Sequence, residues 1–473
     1  MTKCQKSFLT LFFIIILTIL LNPKYINKYH EENNILYCHN ELDPFSVFAK
    51  ILNTNPNVLC KSRVSEHICY QINFPFYQIR HGVLCFMKNV DINPSYWKED
   101  GHNYSLGPTN FKTKGAPLIF KGFFNMKCNI KKPFNNYNLI YKSYFDSWKY
   151  SSYLNYTINN EKIPEVELFP GKTIFLLSRN QDSPNLLIGL CHILNAFSLM
   201  HLLNLKPNNI RIIFLESINL TYDPFYNIYK YILLGGVDPI HIRELDRNKI
   251  YHISNGIHVP MNWDSPCFCL HSLPNCSYAT KTYNFFLNSI FKYLKIPNFV
   301  DSNQYNKEIF YYPKSFQKDN LNKYKIYLTF QWRKPWPKNR KKQFRILANG
   351  EELVEILDKN LNRYNVLIRL VDTALLKIEE QIAIMQKTDY FLGIHGAGIT
   401  LGIFLPKNSI IHEIKYKKEP NRPIILGKLT GHKVYSEFMN VSIKLENSRE
   451  NVYIKGEKLV QSVLKNMEEN HYF

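Results

Sequence analysis

Apolar residues follow two different spacings in the chain after residue 170, and the two spacings alternate. Strand-like apolar runs are separated by segments whose apolar residues recur every three or four positions. In chain order these segments are KTIFLLSR, NLLIGLCHILNAFSLMHLLN, NIRIIFLES, FYNIYKYILLGG, KIYHISNGIHVP and a helical stretch from Tyr283 to Leu294. Alternating strand and helix patterns predict a parallel sheet with covering helices.

A second alternating set follows a polar link at residues 301–319. It reads KIYLTFQW, EELVEILDKNL, NVLIRLV, LLKIEEQIAIMQKT, YFLGIH, SIIHEI and KVYSEF. We therefore predict two α/β domains, residues 171–318 and residues 319–473, the second ending in a C-terminal helix. Residues 22–170 show no sustained period and are interpreted as a stem followed by a loop-rich region.

The N-terminus carries a short apolar run behind two basic residues. Lys3 and Lys6 precede Phe8–Leu21, which would span ~21 Å as a helix and is short for a bilayer. A cleaved signal peptide and a signal anchor both fit, and the absence of a small-x-small site after Leu21 favours the anchor. Residues 1–21 are thus predicted to anchor the chain with its N-terminus in the cytoplasm and the rest in the lumen.

Glycosylation sequons and cysteines agree with a lumenal location. Sequons occur at Asn103, Asn155, Asn219, Asn275 and Asn440. Nine of the ten cysteines lie between Cys38 and Cys276, which predicts disulfides confined to the first half. A zinc cluster of Cys267, Cys269, His271 and Cys276 is the less favoured alternative, because its spacing fits no familiar zinc pattern.

The formal charge of +21 does not indicate a nucleic-acid surface, because the basic residues are scattered through the chain. The densest basic stretch, RKPWPKNRKK at residues 333–342, is typical of a solvated loop after a strand. Such a loop can also attract an anionic substrate.

The stretch FLGIHGAGITLGIFLP, residues 391–406, combines a predicted strand with a glycine-rich turn entering a helix. Ligands bind at the carboxyl ends of parallel strands, where the amides of Gly396, Ala397 and Gly398 would meet an anion. His395 could donate a further hydrogen bond. The alternative is that the glycines only turn the chain and His395 caps it.

Two charged residues stand near the ends of two other predicted strands. Arg333 could bind a pyrophosphate in a forked geometry, which would make a metal unnecessary. Glu413, near the end of SIIHEI, could bind ribose hydroxyls. The alternatives are a surface arginine and an ordinary charge at a strand end.

The segment DYFLGIHGAGIT, residues 389–400, followed by FLP and IHEI, resembles the signature of glycosyltransferase family 61. Three further stretches, FLLSRNQDSPNLL, RILANGEELVEIL and EIKYKKEPNRPIILGKLTGHKVYSEF, resemble the members that add β-1,2-linked xylose to the core mannose of N-glycans. The likeness runs from Lys172 to the C-terminus.

The resemblance implies a GT-B-like fold, in which two Rossmann-like domains face a cleft, and an inverting transfer from a UDP-sugar. It implies no cofactor and no metal, the UDP-sugar being a substrate. A list of donor-site residues follows from position: Arg333, His395, Gly396, Ala397, Gly398, Thr400 and Glu413.

The chain departs from the family on the acceptor side. The family has Asn-Leu-Phe-His and an Asp four residues later, whereas this chain has Ile188 and His192 at those places. His192 and Asp182 are therefore the candidates for the catalytic base. The alternatives are a buried helix residue for His192 and a helix cap for Asp182.

Three functional hypotheses remain. The first is transfer of xylose from UDP-xylose to an N-glycan by a single-pass type II protein of the Golgi membrane, the endoplasmic reticulum being possible, without a nucleic-acid partner. The second is a lumenal N-acetylglucosaminyltransferase that uses UDP-N-acetylglucosamine on EGF domains or O-mannose. The third is an inactive glycan-binding paralogue.

Overall fold

The computed structural model describes most of the chain after residue 42. The described ranges are 43–62, 64–73, 81–99, 103–106, 111–114, 117–119, 122–127, 154–157, 166–177, 186–215, 223–259, 280–297, 308–316, 321, 323–335, 343–418, 427–446 and 449–473. The predicted anchor, Asp182 and the cysteine cluster at residues 267–276 lie outside them.

The first half contains fourteen described strands and four α-helices. The strands are β1 Asn57–Lys61, β2 Glu66–Asn73, β3 His81–Ile92, β4 Trp97–Glu99, β5 Asn103–Leu106, β6 Phe111–Lys114, β7 Pro117–Ile119, β8 Phe124–Lys127, β9 Leu154–Thr157, β10 Val166–Leu168, β11 Thr173–Leu177, β12 Ile210–Phe214, β13 Ile240–His241 and β14 Ile250–Val259. The helices are α1 Pro44–Leu52, α2 Leu186–Leu202, α3 Tyr226–Ile228, which continues as the π-helix Tyr229–Leu233, and α4 Lys281–Tyr293. Short 3₁₀ helices cover Pro94–Tyr96, Pro207–Asn209 and Ile242–Glu244.

The second half contains the remaining described elements. Its strands are β15 Phe310–Tyr311, β16 Ile326–Gln331, β17 Gln343–Leu347, β18 Val366–Val371, β19 Tyr390–Ile394, β20 Ile410–Lys415, β21 Lys433–Phe438, β22 Val441–Glu446 and β23 Arg449–Ile454. Its helices are α5 Gly350–Leu361, α6 Ile378–Met385 and α7 Gly456–Glu469, with 3₁₀ helices at Asn362–Tyr364, Thr373–Leu375 and Ala397–Phe404.

The first sheet has the order β1-β2-β3-β14-β11-β12-β13. Strands β14, β11, β12 and β13 are parallel, while β3 joins β14 antiparallel. The sequence pattern placed residues 22–170 in an irregular stem and loop region, but β1, β2 and β3 extend this sheet. Only β3 pairs with β14, which lies more than 150 residues away along the chain, so no local sequence pattern predicts that these strands join the sheet.

The second sheet has the order β15-β18-β16-β19-β20-β21, in which all strands but β15 are parallel. The chain passes from β16 to β18 on one side and then to β19 on the other side of β16. This reversal forms a topological switch point, the place where open α/β sheets bind ligands at the carboxyl ends of their strands. Arg333 follows β16 and His395 follows β19 at that edge.

Helix α2 is almost completely buried, with only its ends partly exposed. One apolar cluster includes α2, the inner residues of the first sheet and the 3₁₀ helix Ala397–Phe404. The helix that carries His192 and the helix that follows the glycine-histidine loop therefore pack in a common core. The remaining face of the second sheet packs against α5 and α7 in a separate cluster.

The predicted alternation of strands and helices is confirmed in both halves, and the chain is an α/β protein built around two separate sheets with parallel strands. The GT-B-like arrangement and the domain boundaries stay predictions. Within the described residues, no helix has the length and apolar character needed to cross a membrane. A disulfide joins Cys69 to Cys85 across β2 and β3, as predicted for the first half.

Candidate active site

The candidate site lies where β16 and β19 end side by side in the second sheet. Phe330 pairs with Leu392 in parallel register, so the residues that follow the two strands reach the same edge. The backbone of Arg333 is held because its carbonyl accepts a hydrogen bond from Leu347 N at 3.0 Å. His395 N donates to Ile414 O on β20 at 2.9 Å. These backbone contacts fix the two side chains relative to each other.

Arg333 packs directly against the backbone of Gly396. A Cβ atom at position 396 would overlap the guanidinium Nη1 of Arg333. Gly396 also has φ +154° and ψ 178°, a backbone region that is accessible essentially to glycine alone. Glycine is thus required here both for its conformation and for the space that Arg333 occupies.

Gln331 makes the equivalent contact with Gly398. A Cβ atom at position 398 would overlap the side-chain amide of Gln331, and one at Gly393 would stand within 3.1 Å of Gln331 Oε1. The amide Nε2 of Gln331 donates to Thr373 Oγ1 at 3.3 Å. Residues 331 and 333 are two positions apart, so two side chains from the end of β16 fill the room left by two glycines.

His395 is bound by a buried carboxylate. Its Nδ1 lies 2.5 Å from Glu413 Oε1; His395 is 5% exposed and Glu413 is completely buried. A carboxylate on one ring nitrogen fixes the orientation of the imidazole and its tautomer. His395 is therefore set in one orientation at the end of β19.

The second oxygen of Glu413 is also occupied by protein groups. Glu413 Oε2 accepts a hydrogen bond from Ser436 Oγ at 2.8 Å and lies 3.3 Å from Lys415 Nζ. Lys415 shares the strand face of Glu413 and is itself 2% exposed. Because both oxygens bind protein, the geometry favours a positioning role for Glu413 over the predicted contact with ribose hydroxyls.

Arg345 contacts the same loop from another direction. Its Nη1 donates to the carbonyl oxygen of His395 at 3.2 Å, and its own backbone has φ +66°. Three cationic side chains, those of Arg333, Arg345 and Lys415, thus lie near this loop, whose buried carboxylate is Glu413. The excess of positive over negative charge suits an anionic ligand.

The 3₁₀ helix Ala397–Phe404 begins directly after Gly396. The first amide groups of a helix have no carbonyl partner within it, and Ala397 and Gly398 are both partly exposed. Thr400 lies deeper, with no exposed surface, and its hydroxyl has no hydrogen-bond partner among the described residues. Within this part of the loop, Ala397 and Gly398 thus keep exposed surface where a ligand could contact the backbone, whereas Gly396 is buried.

Asp372 follows β18 at the same edge of the sheet. Burial raises the pKa of its carboxyl group to about 6, although the backbone N–H of Ala374 and the charge of Lys334 act in the opposite direction. Asp372 Oδ1 accepts the Ala374 N–H at 3.1 Å. A carboxylate of this kind changes its charge near neutral pH.

Of the two candidates for the base, only His192 lies within the described residues. His192 sits inside α2 and is completely buried, which is the arrangement expected of a buried helix residue. Asp182 lies outside the described residues. Neither assignment is decided by this geometry, and the catalytic base stays a prediction.

The structure therefore brings Arg333, His395, Gly396 and Glu413 together, and it adds residues that the sequence pattern did not single out. Lys415 and Gln331 were detectable in principle, because each stands two positions from a predicted site residue and shares its side of a strand. Arg345 gave no such signal, since it lies in β17, which belongs to a different sheet from the strands of the site.

Comparison with known protein families gives a match over part of the chain. Residues 189–412 match the family described as Glycosyltransferase 61. The matched range includes Arg333, His395 and the glycines, and it ends one residue before Glu413.

A relative in Drosophila melanogaster is described as EGF domain-specific O-linked N-acetylglucosamine transferase. It is 34% identical over 93 residues, which make up 20% of this chain and 17% of that protein. The chain thus aligns with less than a fifth of the relative's length. The family resemblance predicted from the sequence is confirmed.

Proposed function

We propose that this chain, whose residues 189–412 match the glycosyltransferase 61 family, transfers a sugar from a UDP-sugar held at the β16–β19 edge. The observation that carries the proposal is the contact of the Arg333 guanidinium with Gly396, at the start of a helix and at a topological switch point. A forked cation beside exposed backbone amides is a suitable site for a diphosphate.

The reaction requires stabilisation of the departing nucleotide. As the bond from the sugar to the diphosphate breaks, negative charge grows on the leaving oxygen. Arg333 and the amides of residues 396–398 would stabilise that charge, and His395, oriented by Glu413, would donate a hydrogen bond to the diphosphate. Fixed groups of this kind need no reorganisation during the reaction, which is why they lower the barrier.

Transfer with inversion also needs a base that removes the proton of the acceptor hydroxyl while that oxygen attacks the anomeric carbon. His192 and Asp182 are the two candidates. The complete burial of His192 supports its packing role, so Asp182 is the first candidate to test.

Xylose is the sugar that the sequence likeness supports, with transfer from UDP-xylose in β-1,2 linkage to the core mannose of an N-glycan. The name of the Drosophila relative supports a second candidate, transfer of N-acetylglucosamine to a protein acceptor. The third reading, a glycan-binding paralogue without turnover, rests on the departures at Ile188 and His192.

The proposed setting is the Golgi lumen, with the chain held by the apolar run at residues 8–21 as a single-pass type II membrane protein. No metal or other cofactor is proposed for the transfer, because the cationic side chains beside the loop would neutralise a diphosphate bound there. Activity in excess chelator would support this point, and a strict requirement for a divalent ion would contradict it.

The test is transfer by the full-length chain in detergent from radiolabelled UDP-xylose or UDP-N-acetylglucosamine to an N-glycan, an EGF domain and an O-mannosyl peptide. Xylose on the N-glycan supports the first candidate, and N-acetylglucosamine on any acceptor supports the second. Glycan binding without transfer supports the third. Arg333→Ala should abolish transfer, whereas Arg363→Ala, at an exposed arginine stacked on Tyr364, is the matched control.

A further inference from the structure

The connection between β21 and β22 consists of two residues, Met439 and Asn440. Met439 is buried, and its amide donates to Lys415 O at 2.8 Å. Asn440 is exposed and begins the sequon Asn440-Val441-Ser442. Sequons on exposed connections are the ones that an oligosaccharyltransferase can reach.

Phe438 stands two residues before the sequon and is 66% exposed. The backbone hydrogen bond of Met439 continues the extended path of β21, and residues two positions apart on an extended chain share a side. Phe438 and Asn440 are both exposed and flank the buried Met439, which is the alternation expected of an extended chain.

We propose that Asn440 carries an N-linked glycan whose first N-acetylglucosamine packs on the ring of Phe438. A pyranose presents C–H groups on its flat face, and the negative face of an aromatic ring attracts them. The contact also removes apolar ring surface from water. The exposed ring of Phe438 would thereby be covered by a sugar that is covalently attached to the same chain.

The adjoining strand gives the glycan a second effect. β22 pairs only with β23 among the described strands, and Leu445 and Ile443 are 76% and 43% exposed. An uncovered edge strand with apolar side chains is a template for association with another chain. A bulky hydrophilic glycan at the start of β22 would obstruct such pairing.

The inference rests on the proposed lumenal placement of the chain, and it is independent of the donor sugar. The full-length chain is expressed in a eukaryotic secretory host and treated with peptide N-glycosidase. Mass spectrometry of the peptide that contains residue 440 should show aspartate in most molecules of the wild type. Ser442→Ala, which keeps Asn440 but removes the sequon, should show unconverted asparagine.

The ring contact has its own readout. Removing the glycan enzymatically should lower the Tm of the wild type by roughly 2–4 °C, the shift expected for a contact of this size in a domain of this class. In Phe438→Ala the same treatment should leave the Tm unchanged.

Two results would overturn the inference. One is an unmodified Asn440 in a chain glycosylated at another sequon, which would leave the lumenal location intact. The other is a chain with no glycan at all, which would remove the location as well. An equal Tm loss in Phe438→Ala and wild type would overturn the ring contact alone.

Discussion

Glu413 Oε1 lies 2.5 Å from Nδ1 of His395, and the carboxylate is completely buried beneath the loop that the histidine begins. The remaining oxygen is bound by Ser436 and Lys415. A buried carboxylate compensated on both oxygens is stable without a ligand. Because Glu413 holds its ring, His395 has one fixed orientation even when no ligand is bound.

Glu413→Gln tests this relationship, because it keeps the shape of the side chain and removes its charge. We expect kcat/KM for the UDP-sugar to fall roughly 10- to 100-fold, the loss that corresponds to a charged hydrogen bond. Glu437→Gln, on the neighbouring strand β21, is the matched control. Equal activity of Glu413→Gln and wild type in steady-state kinetics would show that His395 needs no such support.

Gly396→Ala combines two costs, an unfavourable backbone and an overlap with Arg333. We expect loss of donor binding and a decrease in the free energy of unfolding of about 1–3 kcal/mol. Gly236→Ala separates the two costs, since Gly236 has φ +99° with open space around its Cα. A smaller loss in urea denaturation at position 236 would assign the difference to Arg333.

Gly398→Ala tests the steric overlap alone, two positions further along the loop. Its new methyl group would displace the Gln331 amide from the loop, and we expect weaker donor binding as a result. The double variant Gly398→Ala with Gln331→Ala should regain part of that affinity, because the smaller side chain leaves room for the methyl group. An additive loss in the double-mutant cycle would show that the two residues act independently.

Asp372 predicts a specific dependence of stability on pH. Since burial raises its pKa from 3.8 to about 6, the folded state retains a proton that the unfolded state releases between these values. Stability from this group therefore falls as the pH rises through about 4 to 6 and is constant above that range. Asp372→Asn keeps an acceptor for the Ala374 N–H and removes the charge.

Relative to wild type, the Asp372→Asn variant should gain up to ~3 kcal/mol of unfolding free energy across that window. Denaturation at a series of pH values measures the difference. Asp246→Asn is the matched control, because Asp246 is exposed and accepts the N–H of Asn248 in the same way. A difference between Asp372→Asn and wild type that does not vary with pH would contradict the assignment.

His192→Leu separates a base from a packed helix residue. Because His192 is fully buried in α2, we expect kcat to change less than tenfold, with the pH profile of kcat unmoved. Asp182→Asn is measured beside it. A large loss of kcat in a stable His192→Leu variant, with donor affinity retained, would instead make His192 the base.

The sequence predicted the elements around the site better than the contacts within it. Apolar runs identified β16, β18, β19 and β20 because buried parallel strands are continuously apolar. Thr400 and Glu413 were assigned to ligand binding, and both are completely buried. Whether a strand-end residue faces outward depends on neighbours from β21 and the loop, which no local pattern contains.

Gly396 and Gly398 also show that side-chain contacts are harder to predict from the sequence than strands are. The sequence assigned the amides of Gly396 and Gly398 to anion binding, and the structure shows in addition that the side chains of Arg333 and Gln331 occupy the positions that a Cβ atom would take at these glycines. The complementarity is set by the register of β16 against β19. The sequence pattern predicts each strand, but it does not predict that Arg333 and Gln331 are the side chains that contact these glycines.

The most direct test of the donor site is calorimetric binding of UDP to the full-length chain and to two arginine variants. We expect that Arg333→Ala weakens binding at least tenfold while Arg363→Ala binds as wild type does. Equal affinity of wild type and Arg333→Ala for UDP would contradict the placement of the diphosphate at the β16–β19 edge.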